Sequence, residues 1–269
     1  MSISLLNNIT SLEAENQLNK TNASLQNTLV QLSSGSRLNS GADDPAGLSI
    51  ADSLQANITQ LNQASNNANT GIGLLQTADG SLGQVTNLLD RAITIATEAA
   101  NGGLTTSQAS ALDNEFTSIK AEIDRIGGQT TFNGTSVFTS STTSIFLGSA
   151  ANSIGINIST LSSAALNLSA DGLTSTANAA TALSDINAAV STVAQDRGTI
   201  GATLNRLTDA QNVIANQVTN LTSAQNLIRS ANIPQDVSQE AQYSVLEQTG
   251  ISALTQANQS TQSILKLFQ

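Results

Sequence analysis

An apolar residue recurs at every seventh position from Ile186 to Ile228: Ile186, Val193, Ile200, Leu207, Ile214, Leu221 and Ile228, with Leu183, Val190, Leu204 and Val218 on companion positions. Two or three apolar residues per heptad predict a long helix whose narrow seam must be closed by another helix. The N-terminal half carries a matching pattern, Leu54, Leu61, Ala68, Leu75, Leu82, Leu89 and Ala96, helped by Ile58, Ile72 and Ile93. A shorter run, Leu112, Phe116, Ile119, Ile123 and Ile126, alternates steps of four and three. At least three helices are therefore available for one elongated bundle.

The breaks between these runs place the elements. Sparse apolar positions at Leu5, Ile9, Leu12, Leu18, Leu25, Leu29 and Leu32, with a register break after Leu12, predict a marginal helix that ends at Ser33-Ser34-Gly35. Asp44 and Pro45 then read as a helix start: the carboxylate caps, and proline suits the first turn, where its missing N–H is not needed. From Pro45 to about Ala100 the helix would run roughly 84 Å at about 1.5 Å per residue. Gly71, Gly73, Gly80 and Gly83 interrupt it, each costing about 1 kcal/mol against alanine, so only tertiary packing can hold it. Asn101-Gly102-Gly103 ends it, and Thr105 or Ser107 opens the next helix, which Gly127-Gly128 closes.

The pattern then ceases to be helical. Phe132, Val137, Phe138, Ile145, Phe146, Leu147, Ile154, Ile156 and Ile158 lie among Ser, Thr, Gly and an Asn133-Gly134 turn, which predicts short hairpins over about 129–160, a small plug at one end of the bundle. Leu161–Ala180 reads as a Ser/Ala/Thr-rich connector, and a long helix starts near Thr181. Ala231-Asn232-Ile233-Pro234 breaks the path before a last amphipathic stretch marked by Val237, Val245, Leu246, Leu254, Ile264, Leu265, Leu267 and Phe268. The fold class expected is mainly α: a long antiparallel coiled-coil bundle formed by the N- and C-terminal segments, with a small β-hairpin region in the middle.

Composition narrows the chemistry. The chain has no His, Cys or Trp, so imidazole acid–base work, thiolate nucleophiles and the usual zinc sites cannot be built, and no cofactor or catalytic residue is expected. The neighbouring acids Glu122 and Asp124 read as solvent-facing, not as a catalytic pair. A net charge of −10 argues against nucleic acid or an anionic membrane as partner. Aromatic residues make up only 2% of the chain, which suits thin helix–helix contacts spread over a great length better than a compact core. No apolar run is long enough for a membrane span, and Met1–Lys20 lacks the basic start and apolar run of a cleavable signal, so export would need another route.

Several short motifs fall in order from both ends: Leu32-Ser33-Ser34-Gly35-Ser36-Arg37-Leu38-Asn39-Ser40, Asp43-Asp44-Pro45-Ala46-Gly47, Glu122-Ile123-Asp124-Arg125 followed by Gln129-Thr130-Thr131-Phe132-Asn133-Gly134, Asn220-Leu221-Thr222-Ser223-Ala224, and Gln256-Ala257-Asn258-Gln259. In these the chain resembles bacterial flagellin, in a short form without large outer domains, over nearly its whole length. The resemblance implies a structural subunit that polymerises into the filament used for swimming. Residues 1–40 and 234–269 would form a terminal coiled-coil inner-tube domain, and 41–233 a helical-bundle domain carrying the hairpins. It implies export unfolded through the hollow flagellum, and as partners other copies of the chain, the export apparatus, an export chaperone, and junction and cap proteins. A hook–filament junction protein of the same superfamily is the alternative, with similar ends but without the Gln256-Ala257-Asn258-Gln259 pattern.

The resemblance also assigns residues. Leu5, Ile9, Leu12, Leu25, Leu29, Leu32, Leu246, Leu254, Ile264, Leu265, Leu267 and Phe268 would form the polymer interface, which sparse seams leave uncovered until neighbouring subunits arrive. Leu54, Leu61, Leu75, Leu82, Leu89 and the Ile186–Ile228 heptad would form the bundle seam. Arg91, Ile95 and Glu115 match positions at which the vertebrate flagellin-sensing Toll-like receptor contacts flagellins, and the same residues would equally serve packing. Val30–Ala51 matches the segment that plant receptor kinases detect, with Ala42 in place of a common Lys. Arg37 with Asp43 and Asp44 reads either as an interface network or as dipole partners and caps at a helix start.

Overall fold

The structure is a computed structural model that describes residues 8–148 and 152–267, apart from the side chains of residue 261 and residues 264–267. Five helices dominate it: α1 (Ile9–Ser34), α2 (Pro45–Ala99), α3 (Thr106–Gln129), α4 (Thr176–Arg229) and α5 (Ile233–Leu267). Between α3 and α4 lie two antiparallel two-stranded sheets, β1 (Thr131–Phe132) with β2 (Thr135–Ser136), and β3 (Thr143–Phe146) with β4 (Ser153–Ile156). The fold class is the one the sequence predicts. Two compact units partition the chain: residues 1–58 with 220–269, and residues 59–219.

Local chemistry sets the helix ends. Asn8 caps α1 by accepting from the Ser11 N–H at 3.2 Å, and Gly35 closes it at φ 65, a left-handed conformation that glycine adopts without a Cβ penalty. Asp44 caps α2, accepting from the Gly47 N–H at 2.9 Å, and Pro45 occupies the first turn as predicted. Thr105 opens α3 through a capping box with Gln108, one of the two starts the sequence offered. That helix continues through Gly127-Gly128 to Gln129 instead of stopping there. Gly127 serves a different purpose: a Cβ at that position would collide with the Leu161 carbonyl.

In the unit 59–219 the core follows the heptads of α2 and α4, with a correction to the seam. On α2 the buried positions run Ala64, Ala68, Gly71, Leu75, Ala78, Leu82, Val85, Leu89, Ala92, Ala96 and Ala99, in steps of three and four, with Ile95 buried beside Ala96. The predicted series Ala68–Ala96 is there, but its companions are mostly Ala and Gly, whereas Ile72 and Ile93 are only half-buried. On α4, Ile186, Val193, Ile200, Leu207 and Ile214 are buried with Ala182, Ala189 and Thr203, and the expected companions Leu183, Val190 and Leu204 lie at the margin. The Leu, Ile and Val members supply about 1.5–3 kcal/mol each by burial. Leu54, Leu61, Leu221 and Ile228 are half-buried.

The helices α2 and α4 run antiparallel, tied by Arg197 to Asp79 at 2.8 Å and by Gln211 to Asn69 at 2.7 Å. The hairpins flank α2 where α3 has ended, rather than plugging one end of it. Gly71 and Gly73 leave room there for Ile145 and Phe132, and Asn67 donates to the Phe146 carbonyl at 3.0 Å. Asn133 and Gly134, at φ 50 and 77, make the two-residue turn that joins β1 to β2.

The connector after β4 is part of the core, which the sequence reading missed. Leu161, Leu166, Leu168 and Leu173 are buried, and three side chains of α3 hold the backbone around them. Asp124 accepts from the Ser163 N–H and hydroxyl at 2.7 and 2.9 Å, and Asp113 accepts from the Leu173 N–H at 2.7 Å. Lys120 donates to the Asp171 carbonyl at 2.6 Å while resting over the Phe116 ring.

Candidate assembly surface

The unit formed by 1–58 and 220–269 is built on the opposite plan. Its helices α1 and α5 pair antiparallel: Asn8 donates to the Ala257 carbonyl at 3.1 Å, the Ser11 hydroxyl to Asn258 at 2.9 Å, and Leu18 lies against Gly250, where an added Cβ would come within 3.2 Å of it. The residues of α1 that are buried are polar, Thr21 and Thr28, one heptad apart. Each satisfies its hydroxyl on the carbonyl four residues earlier, Gln17 and Ser24 respectively, so burial leaves no donor orphaned.

Large apolar side chains meanwhile face out. Ile9 and Leu12 are each 59% exposed, Val245 is 64% exposed, and Leu29, Val30, Val237, Leu246 and Ile251 are also exposed. Among the described residues, the large exposed hydrophobics outside this unit are Phe146 and Val213. Isolated exposed apolar residues are ordinary, but their concentration on two helices makes this the candidate surface for a partner. Of the predicted interface residues, Ile9, Leu12, Leu29 and Leu246 are exposed, and Leu25, Leu32 and Leu254 are half-buried. Leu5 and Phe268, and the side chains of Ile264, Leu265 and Leu267, lie outside the described residues.

The turn between α1 and α2 is fastened within the same unit. The Arg37 N–H donates to the Arg229 carbonyl at 2.7 Å and its guanidinium to the Ile228 carbonyl at 3.0 Å, while the Ala231 N–H donates to the Gly35 carbonyl at 3.1 Å. A cation thus sits on the last carbonyls of α4, where the helix dipole favours it. Asp43 accepts from the N–H groups of Ser40 and Asn39 at 2.8 and 3.0 Å, and these bonds hold its carboxyl below the ordinary aspartate value. Within the chain Arg37, Asp43 and Asp44 make no ion pair with each other, and each fastens a turn or helix end. Deeper in, Gln225 is buried and donates to the Ala51 carbonyl and to Gln55.

Of the positions singled out for receptor contact, Arg91 and Glu115 form an exposed ion pair at 2.7 Å between α2 and α3. Glu115 holds the Arg91 guanidinium more firmly protonated. Ile95 is fully buried, so it belongs to the packing of the bundle and not to its surface. Glu122 pairs with Arg125 on the same helix face, and Asp124 is committed to Ser163, so the two acids do not converge. Among the described residues no group of three or more acidic side chains could hold a metal ion, and no helix is long and apolar enough to cross a membrane.

Two family models match. The bacterial flagellin N-terminal helical region covers residues 5–143, and the bacterial flagellin C-terminal helical region covers residues 183–268. Relatives include a flagellin of Salmonella muenchen, 45% identical over 130 residues, which are 48% of this chain and 26% of that one. A flagellin of Serratia marcescens is 44% identical over 133 residues, 49% of this chain and 38% of that one. The B-type flagellin of Pseudomonas aeruginosa is 40% identical over 169 residues, 62% of this chain and 35% of that one. The chain therefore spans between a quarter and two fifths of the length of these curated relatives. Among solved structures, Bacillus cereus flagellin matches at a TM-score of 0.51 and 30% identity, covering 60% of this chain and 94% of that one. A putative flagellar hook-associated protein from Vibrio parahaemolyticus matches at a TM-score of 0.60 and 15% identity, covering 70% and 99%, a likeness of fold alone.

Proposed function

Because the chain belongs to the bacterial flagellin family, a family of structural proteins and not of enzymes, we propose that it is the repeating subunit of an extracellular flagellar filament. The observation that carries this reading is the contrast between the two units. Residues 59–219 close their apolar residues into a core of their own, whereas α1 buries two threonines and α5 an aspartate, Asp236, and both turn isoleucine, leucine or valine outward. A surface of that kind is covered by further copies of the same chain, and helices with seams this sparse gain most of their stability from that contact.

Within this reading, residues 1–40 and 234–269 form the inner tube and 41–233 the surrounding bundle. The polymer interface comprises Ile9, Leu12, Leu25, Leu29, Leu32, Leu246 and Leu254 together with the terminal apolar residues. Export apparatus, export chaperone, junction and cap proteins act on the chain before and during assembly. The exposed Arg91–Glu115 pair is the part of the predicted receptor patch that an innate immune receptor would reach on the free subunit. The hook–filament junction alternative draws only on a shared fold and gains no specific support from the residues.

The test is Leu246→Asp. This side chain is already exposed, so a carboxylate there should change the melting of the free chain by no more than about 0.5 kcal/mol. Sedimentable polymer should fall at least about tenfold, since the same carboxylate would be buried unpaired between subunits. Polymer yield equal to the parent would contradict the assignment of this surface.

A further inference from the structure

Asn-Gly pairs occur twice, at Asn101-Gly102 and Asn133-Gly134, and the fold treats them differently. Such a pair is chemically labile because glycine leaves the following main-chain nitrogen unhindered beside the asparagine amide. The reaction needs that nitrogen to swing onto the side-chain carbon, so its rate depends on how freely the local backbone turns.

At Asn101 the backbone is only lightly held. The residue follows the last turn of α2, held only by its own N–H donating to the Glu98 carbonyl at 3.1 Å. Asn101, Gly102 and Gly103 are all exposed, and a Cβ on either glycine would meet nothing within 4 Å. Among the described residues no hydrogen bond engages the Asn101 side-chain amide or the Gly102 N–H. Asn133 is clamped: it sits at φ 50 with Gly134 at φ 77, inside a turn closed by the Thr131–Ser136 and Phe132–Thr135 pairs and backed by the Val137 N–H donating to the Thr130 carbonyl at 3.0 Å. Reaching the reactive geometry there requires the hairpin to open.

We propose that Asn101 is a site of spontaneous deamidation in the folded chain and that Asn133, with the same neighbour, is protected by its hairpin. The Gly102 nitrogen, giving up its proton to solvent base, attacks Asn101 Cγ; the new C–N bond closes a succinimide while the Cγ–Nδ2 bond breaks and ammonia leaves. Water then opens either ring carbonyl, leaving an aspartyl or isoaspartyl residue at position 101 without any oxidant or enzyme. The product places a carboxylate just beyond the C-terminal end of α2, where the helix dipole disfavours negative charge.

The full-length chain is held in mildly alkaline buffer, and peptides are followed by mass spectrometry together with enzymatic methylation of isoaspartate. Conversion at position 101 should outpace that at 133 by about tenfold or more, the factor that about 1.4 kcal/mol of local opening imposes. Gly102→Ala should slow conversion at 101 and leave 133 unchanged. In denaturant the two rates should converge. Equal rates in the folded chain, faster conversion at 133, or a rate difference that survives denaturation would overturn the proposal.

Discussion

Gly127 shows how much a single residue carries. Its missing Cβ lets the Leu161 carbonyl lie against α3, which in turn brings the connector leucines into the core. Gly127→Ala should therefore destabilise the chain by about 1–3 kcal/mol, because the obstructing atom belongs to backbone and cannot rotate away. Thermal melting monitored by circular dichroism measures it. Gly128→Ala, where a Cβ meets nothing, provides the control and should be neutral or slightly stabilising.

Asp171 is a second residue with a measurable signature. Burial first, and then the facing Asp185, raises its carboxyl above the ordinary aspartate value, with Lys120 offsetting part of the effect. A carboxyl raised on folding contributes stability that is complete below its unfolded value and lost as pH rises through its folded one. Asp171→Asn removes that titration while keeping the main-chain carbonyl that Lys120 uses. The melting temperature of the variant should rise relative to the parent as pH climbs from the acid range toward neutral. Parallel pH profiles for the two proteins would refute this coupling.

At the scale of elements, the long helices were legible because a seven-residue period survives in composition: Leu75, Leu82, Leu89, Val193, Ile200 and Leu207 all stand where the period puts them. The companions were misread because small residues carry no hydrophobic signal. Ala64, Gly71, Ala78, Ala92 and Ala99 are buried through their position on the helix, while the larger Ile72 and Ile93 beside them remain at the margin. Ala78→Leu should accordingly cost about 1–3 kcal/mol by overpacking. Leu207→Asp should cost several kcal/mol by burying an unpaired charge. Chemical denaturation of each would show whether the small-residue half of the seam is as tightly filled as its burial indicates. The connector was missed for a related reason: its four leucines are spaced irregularly, and the groups that fix it, Asp113, Lys120 and Asp124, lie on α3, more than thirty residues away in sequence. No local pattern reports such a pairing.

At the scale of the whole molecule, the chain divides into a part that completes its own core and a part that does not. The candidate assembly surface was legible as the sparse seams of α1 and α5, but the burial of Thr21 and Thr28 in place of leucine was not, since threonine at helical spacing reads as solvent-facing until its hydroxyl is seen bonded to the preceding turn. Truncation after Ile233 removes nearly all of α5 and leaves residues 59–219 intact. The product should melt cooperatively and remain unassembled, as sedimentation would report.

The central claim, that this chain is a filament subunit, is met most directly by electron microscopy of the purified full-length protein under polymerising conditions. Long tubes of uniform diameter are the predicted result. A protein that stays monomeric under those conditions, or forms only short caps or rings of fixed size, would contradict it.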